Sequence, residues 1–261
     1  MSAPLDARAA ATLITDYLGP AAELVSAAVD APPPGPVAVV GHFSAVAHAV
    51  FEAQHPGVRV VAVESMPPPL LRQVAQRAES TYGASYPLPL RNQGFAAVLE
   101  GLSFADHTTD TTVMREAARV VWPGGEYAGV FLMRGSFQIF FDVARAVCEL
   151  GGLGEALNAV REAEAQFRHP DTLKGMASRA GLMDVECGLE ERVLTFANAE
   201  AFLTDAGVRN VLLRRLALAG VDLRHQLIGK AQEALESETG RGAVNVRVVT
   251  GVLRGIRPAG G

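Results

Sequence analysis

A glycine, two histidines and a serine fall together in the stretch "VVGHFSAVAHAV", residues 39–50. Serine near histidine after an apolar run is the raw material of a nucleophile elbow, where a strained strand-to-helix turn presents a hydroxyl to a base. That turn needs serine two residues after its first glycine and a second glycine two residues later. Here Ser44 comes three residues after Gly41, and Val46 stands where the second glycine belongs. A dinucleotide-binding loop fails for the same reason, since the later glycines of G-x-G-x-x-G are missing. His42 and His48, six apart, do not share a helical face, and His55, His169 and His225 add no ligand set, so no metal site is expected. What remains are Gly41, which lets backbone pass close to a ligand, Glu64, which closes the apolar run "VRVVAVE", and Glu100 and His107 after a further apolar run.

These groups need a scaffold, and the pattern of apolar runs supplies one. Strands are expected at 37–40, 58–63, 95–99 ("FAAVL") and 126–132, with helices at about 45–54, 69–79 and 112–121. Continuous apolar runs alternating with helices point to parallel βαβ units whose strands are covered on both faces. Helices near 137–150, 153–167 and 170–180 then precede a strand at 183–194, and two or three more helices lead to a last strand at 243–253. The expected architecture is α/β: a mostly parallel sheet of about seven strands with helices on both faces.

At the start, Leu5, Ala9, Leu13, Ile14 and Tyr17 recur at helical spacing, and Gly19-Pro20 is expected to end that helix before a second one through Val29. The run Ala31–Pro36, four of whose six residues are proline, reads as a stiff linker. Two domains follow from this division: a helical extension with its linker over 1–34, and a main domain over 35–257 that carries a helical insertion at about 196–240.

Composition narrows the function. With 261 residues, 49% of them hydrophobic, the chain is long enough for a large core. A net charge of -5 and a pI near 5.7 lack the basic footprint of a nucleic-acid binder, and Arg209, Arg214, Arg215 and Arg224 read as solvated helix faces. Cys148 and Cys187 are too few for a disulfide framework or a zinc site, which fits a reducing compartment. No basic segment followed by an apolar run opens the sequence, and no stretch approaches the roughly 18 apolar residues of a membrane span. A cytoplasmic protein without nucleic-acid or membrane partners is expected.

Over roughly residues 35–257 the order and spacing of these blocks resemble the class I S-adenosylmethionine-dependent methyltransferases. "VAVVG" ending at Gly41 is similar to that family's first strand and turn, "VRVVAVE" ending at Glu64 to its second strand and terminal acid, and residues 82–104 to its third loop and fourth strand. "MREAARVVWPGGEYAGVFL", with Pro123-Gly124-Gly125, resembles the family's helix, turn and fifth strand, and residues 173–203 its late helix, sixth strand and insertion. The resemblance implies a Rossmann-like fold with a cofactor crevice at the carboxyl ends of the first strands. It implies cofactor contacts at Gly41, His42, Phe43, Glu64, Ala84 and Ser85, with Glu64 on the ribose hydroxyls, and substrate-facing groups at Glu100 and His107.

The same resemblance exposes losses. Where the family's first motif carries an acid and two later glycines, this chain has Val39, Phe43 and Ala45; two further acid positions are taken by Ala84 and Ala96. The apolar framework is kept while polar ligands are lost. One reading is therefore a methyltransferase-fold protein that has lost or weakened S-adenosylmethionine binding and acts as a non-catalytic scaffold, regulator or subunit partner. In that case its interaction surface would be the N-terminal helices or the insertion, notably Leu212, Leu213, Leu216 and Leu218. The other reading is an active methyltransferase of a small molecule or protein with a divergent glycine loop.

Overall fold

A computed structural model describes residues 14–29, 34–41, 44–64, 79–82, 87–101, 110–220, 226–240 and 242–259. A π-helical turn over Ile14–Leu18 runs straight into α1 (Gly19–Ala27). The expected break at Gly19-Pro20 is absent. Proline sits in the first turn of α1, where its missing N–H has no intrahelical carbonyl to satisfy. The buried side of α1, with Ala21, Ala22 and Val25, packs on the helix after β1 and on β4.

The βαβ alternation is realised as β1 (Val37–Val40), α2 (Ser44–Gln54), β2 (Val60–Glu64), β3 (Glu79–Tyr82) and β4 (Phe95–Gly101). It continues through α3 (Asp110–Val120), β5 (Val121–Leu132), α4 (Gln138–Leu150), α5 (Gly154–Ala165), α6 (Pro170–Arg179) and β6 (Met183–Phe196). After α7 (Ala199–Thr204) come short turns over Ala206–Val208, Arg209–Leu213 and Arg214–Leu218, then α8 (Gln226–Glu238) and β7 (Val244–Ile256). The seven strands are ordered β3-β2-β1-β4-β5-β7-β6. β1 pairs in parallel with β2 and β4, as do β2 with β3 and β4 with β5. The chain reverses its direction of sheet growth between β1 and β4.

β3 was not foreseen from the sequence, since "ESTY" is short and polar; its pairing with β2, from Val61↔Glu79 to Glu64↔Tyr82, makes it a strand. Most of the helix expected over 69–79 lies outside the described residues. β5 begins before Pro123-Gly124-Gly125 instead of after it, because that block is an irregularity inside the strand: the register with β4 jumps from Phe95↔Val121 to Ala97↔Glu126. Gly124 takes φ +78°, and a Cβ on Gly125 would lie 2.6 Å from the Ala96 carbonyl oxygen, so glycine is required at both positions. The Gly124 N–H donates to the Arg257 carbonyl and the Arg257 N–H to that of Gly125, both at 2.9 Å. Arg257 also closes the end of α3, where its Nη1 donates to the carbonyls of Ala118 (2.8 Å), Arg119 (3.0 Å) and Val121 (2.6 Å).

The end of the proline-rich run is tied down. The Pro36 carbonyl accepts from the Ala96 N–H at 2.8 Å, and Gly35 lies so close beneath the Trp122 ring that a Cβ there would meet it at 2.2 Å.

One compact unit holds the described residues up to Phe131 together with Pro170–Leu189 and those from Thr250 onward; a second holds Leu132–His169 and Glu190–Val249. In the second, α4 packs on α5 and α8, and Phe137, Phe140, Phe141, Phe167 and Phe202 form a chain of tilted and edge-on ring contacts. Leu212, Leu213 and Leu216 are buried, which makes them packing residues rather than an outward docking face. Arg215 departs from the expected solvated face in the same way, with its guanidinium 4.6 Å from the centre of the Phe167 ring.

Candidate functional site at the strand ends

In a doubly wound sheet, the point where strand order reverses leaves a crevice beyond the carboxyl ends of the two strands, here β1 and β4. The registers Val40↔Val63 and Val40↔Glu100 place the last residues of these strands in one row, with Gly41, Glu64 and Gly101 at its rim. Gly41 adopts φ +111° and its N–H donates to the Val63 carbonyl at 3.1 Å. A Cβ on Gly41 would stand 2.7 Å from the carbonyl oxygen of Gly101, a contact that only backbone movement could relieve. Two glycines therefore meet at the switch point, and the rim between β1 and β4 carries no side chain at either position.

Glu100 is placed differently from the expectation. It lies inside β4, not in the loop beyond it, because pairing continues through Glu100↔Gly129 and Gly101↔Val130. Its side chain is buried, with the residue 5% exposed, and Oε2 accepts from the Tyr127 hydroxyl at 2.6 Å. A buried acid persists only when such hydrogen bonds replace water. The phenol reaches it along β5 because position 129, opposite Glu100, is glycine: a Cβ there would lie 2.5 Å from the hydroxyl oxygen. Gly101, Tyr127 and Gly129 were missed from the sequence. The signal was the glycine two residues after a tyrosine in "EYAGVFL", which on a strand lies on the same face.

The approach to β4 is held by α3. Glu116 Oε2 accepts from Arg119 Nη2 at 2.7 Å and from the Leu88 N–H at 2.9 Å, while Arg119 donates to the carbonyls of Leu88 and Leu90, both at 3.0 Å. The Arg119 guanidinium, aided by the Leu88 amide, keeps the Glu116 carboxyl below the usual carboxylate range.

Of the other expected residues, Glu64 closes β2 as foreseen, with its backbone paired to Tyr82. His42, Phe43, Ala84, Ser85 and His107 lie outside the described residues. Two positions where the family resemblance calls for an acid are sealed into the sheet: Val39 is 0% and Ala96 3% exposed. Neither side chain can accept a hydrogen bond from a cofactor, so the described residues fit S-adenosylmethionine only in part, through the bare rim at Gly41 and Gly101. Among the described residues no group of three or more His, Cys, Asp or Glu side chains could hold a metal ion. None of the described helices is long and apolar enough to cross a membrane.

No protein-family model and no curated protein matches this sequence. Solved structures do match. The YcgJ protein of Bacillus subtilis aligns over 92% of this chain and 99% of its own, with a TM-score of 0.56 and 12% identity. A candidate methyltransferase from Bacillus halodurans aligns over 93% and 99%, with a TM-score of 0.55 and 16% identity. A chain from the Haloferax volcanii complex between the methyltransferase activator Trm112 and a candidate methyltransferase aligns over 98% and 96%, with a TM-score of 0.53 and 15% identity. The fold is that of the class I S-adenosylmethionine-dependent methyltransferases.

Proposed function

We propose that this chain is a methyltransferase-fold protein in which S-adenosylmethionine binding is lost or weakened, and which acts as a non-catalytic partner or regulator of another protein. The observation that carries this reading is the fate of the acid positions. Val39 and Ala96 have become sheet core, and the acid retained at the end of β4, Glu100, is drawn inside the protein by Tyr127. A crevice that evolves away from a polar ligand is expected to change in this way, because a buried acceptor without its ligand costs stability whereas an apolar replacement does not. Among the chains of similar fold is one from an assembly with a methyltransferase activator, so this architecture is compatible with life in a complex.

One observation favours the alternative, an active enzyme with a divergent loop. Gly41 and Gly101 leave the rim free of side chains where a ligand's backbone contacts would form, with Glu64 next in the row. Methyl transfer asks the protein chiefly to position an already activated donor, so such a rim would go far.

Isothermal titration with S-adenosylmethionine and S-adenosylhomocysteine separates the two. The expected outcome is no heat of binding from folded protein with either ligand. Micromolar binding that Glu64→Ala abolishes would overturn the non-catalytic reading and install the enzyme in its place.

A further inference from the structure

We propose that the outer edge of β6 is a docking edge for a basic, extended segment of another protein, added to the sheet as a further strand. β6 ends the strand order and has β7 as its sole neighbour in it. It is 14 residues long, and none of them is buried. An edge strand of that length presents a row of unpaired N–H and C=O groups, the template that strand addition uses.

The side chains add a second, independent signal. Among the described residues the exposed large hydrophobics are Leu150, Met183, Leu189, Val193 and Ile256. Three of the five stand on β6 and a fourth on β7 beside it. Along the strand Met183 is 50%, Leu189 53% and Val193 65% exposed, whereas Val185 and Cys187 are half-buried. Such a row at a sheet edge gives an incoming strand apolar surface to cover as well as hydrogen bonds.

Charge selects the occupant. Asp184, Glu186 and Glu190 are exposed on β6, whereas Glu191 is already paired with Arg247 of β7. Arg192 is the sole basic residue in the strand. Two copies of this chain meeting edge to edge would bring acidic rows together, and like charges across paired strands are destabilising. A strand that alternates lysine or arginine with apolar residues meets both features. Of the surfaces first suggested by sequence, the N-terminal helices and the insertion, the described residues Ala22, Val25, Leu212 and Leu216 are all 0% exposed, while residues 1–13 lie outside the described residues. The edge is independent of whether the crevice binds S-adenosylmethionine.

The test uses the full chain and a short blocked peptide alternating lysine and valine, with a glutamate–valine peptide as control, read by fluorescence anisotropy. Binding of the lysine peptide is expected to weaken with added salt and to fall at least about tenfold, or 1.4 kcal/mol, in Leu189→Arg and in Glu186→Lys. The glutamate peptide is expected not to bind. Both substitutions are at exposed positions, and tryptophan fluorescence checks that the fold is kept. The proposal is overturned if wild-type protein ignores the lysine peptide, if both variants bind it unchanged, or if the glutamate peptide binds equally well. It is also overturned if light scattering finds a wild-type dimer that Leu189→Arg converts to monomer, since the edge would then belong to a second copy.

Discussion

β4 and β6 belong to one sheet and follow opposite rules. All seven residues of β4 are buried, the acid Glu100 included, while β6 at twice the length buries none. β4 lies between β1 and β5, and its apolar run is continuous because both faces are covered. Among the described strands β6 has a neighbour on one side only, and its sequence mixes apolar residues with acids. The contrast separates two kinds of information: at β4 a side chain is chosen by what the sheet must close around, at β6 by what the sheet leaves open. Substitutions in the first region should therefore move stability, and in the second recognition.

The largest effect is expected at the rim between β1 and β4. Gly41→Ala must relieve both φ +111° and the approach to the Gly101 carbonyl, and a loss of about 3 kcal/mol is expected by chemical denaturation followed through Trp122, the single tryptophan. A loss below about 1 kcal/mol would mean that the two strand ends are not pinned together. Next comes Tyr127→Phe, which leaves the buried Glu100 carboxyl group without this donor at an expected cost of about 1–3 kcal/mol in the same assay. Arg257→Ala uncaps α3 and should cost about 1–2 kcal/mol, measured as a lower denaturation midpoint with an unchanged slope.

The acid limb of stability tests the loop before β4. The hydrogen bond from Arg119 holds the folded pKa of Glu116 below its unfolded value. The contribution is therefore complete above the ordinary carboxylate pKa and is lost as pH falls through the depressed folded one. Wild-type protein should lose up to about 1 kcal/mol more than Glu116→Gln across that interval, as this is a partly exposed pair. At the small end, Val193→Lys on β6 should leave stability within about 0.5 kcal/mol. A larger loss would show that β6 is covered after all, and the contrast with β4 would fail.

How much of this was legible in the sequence varies by element. The apolar runs at 37–40 and 95–99 gave their strands directly, since a parallel strand covered on both faces leaves no polar position to confuse the pattern. "ESTY" at β3 gave nothing, because four mostly polar residues become a strand only through pairing with β2. Glu100 looked like a loop acid because apolar periodicity stops at Leu99. The tyrosine that allows its burial lies 27 residues on, beyond the reach of any local pattern. Leu212 and Leu216 were ambiguous for a related reason: a leucine-rich helix reads the same whether it covers its own core or awaits a partner.

By itself the sequence determined the alternation of strands and helices, the glycine at the end of β1, the acid at the end of β2 and the absence of acids at 39 and 96. These follow from short-range rules of periodicity, backbone freedom and residue type. Only the tertiary structure decided that Gly41 faces Gly101, that Glu100 is enclosed by Tyr127 across Gly129, and that β6 ends the order of the described strands. Each depends on which strand lies beside which, and neighbours in a sheet are set by topology, not by nearness along the chain.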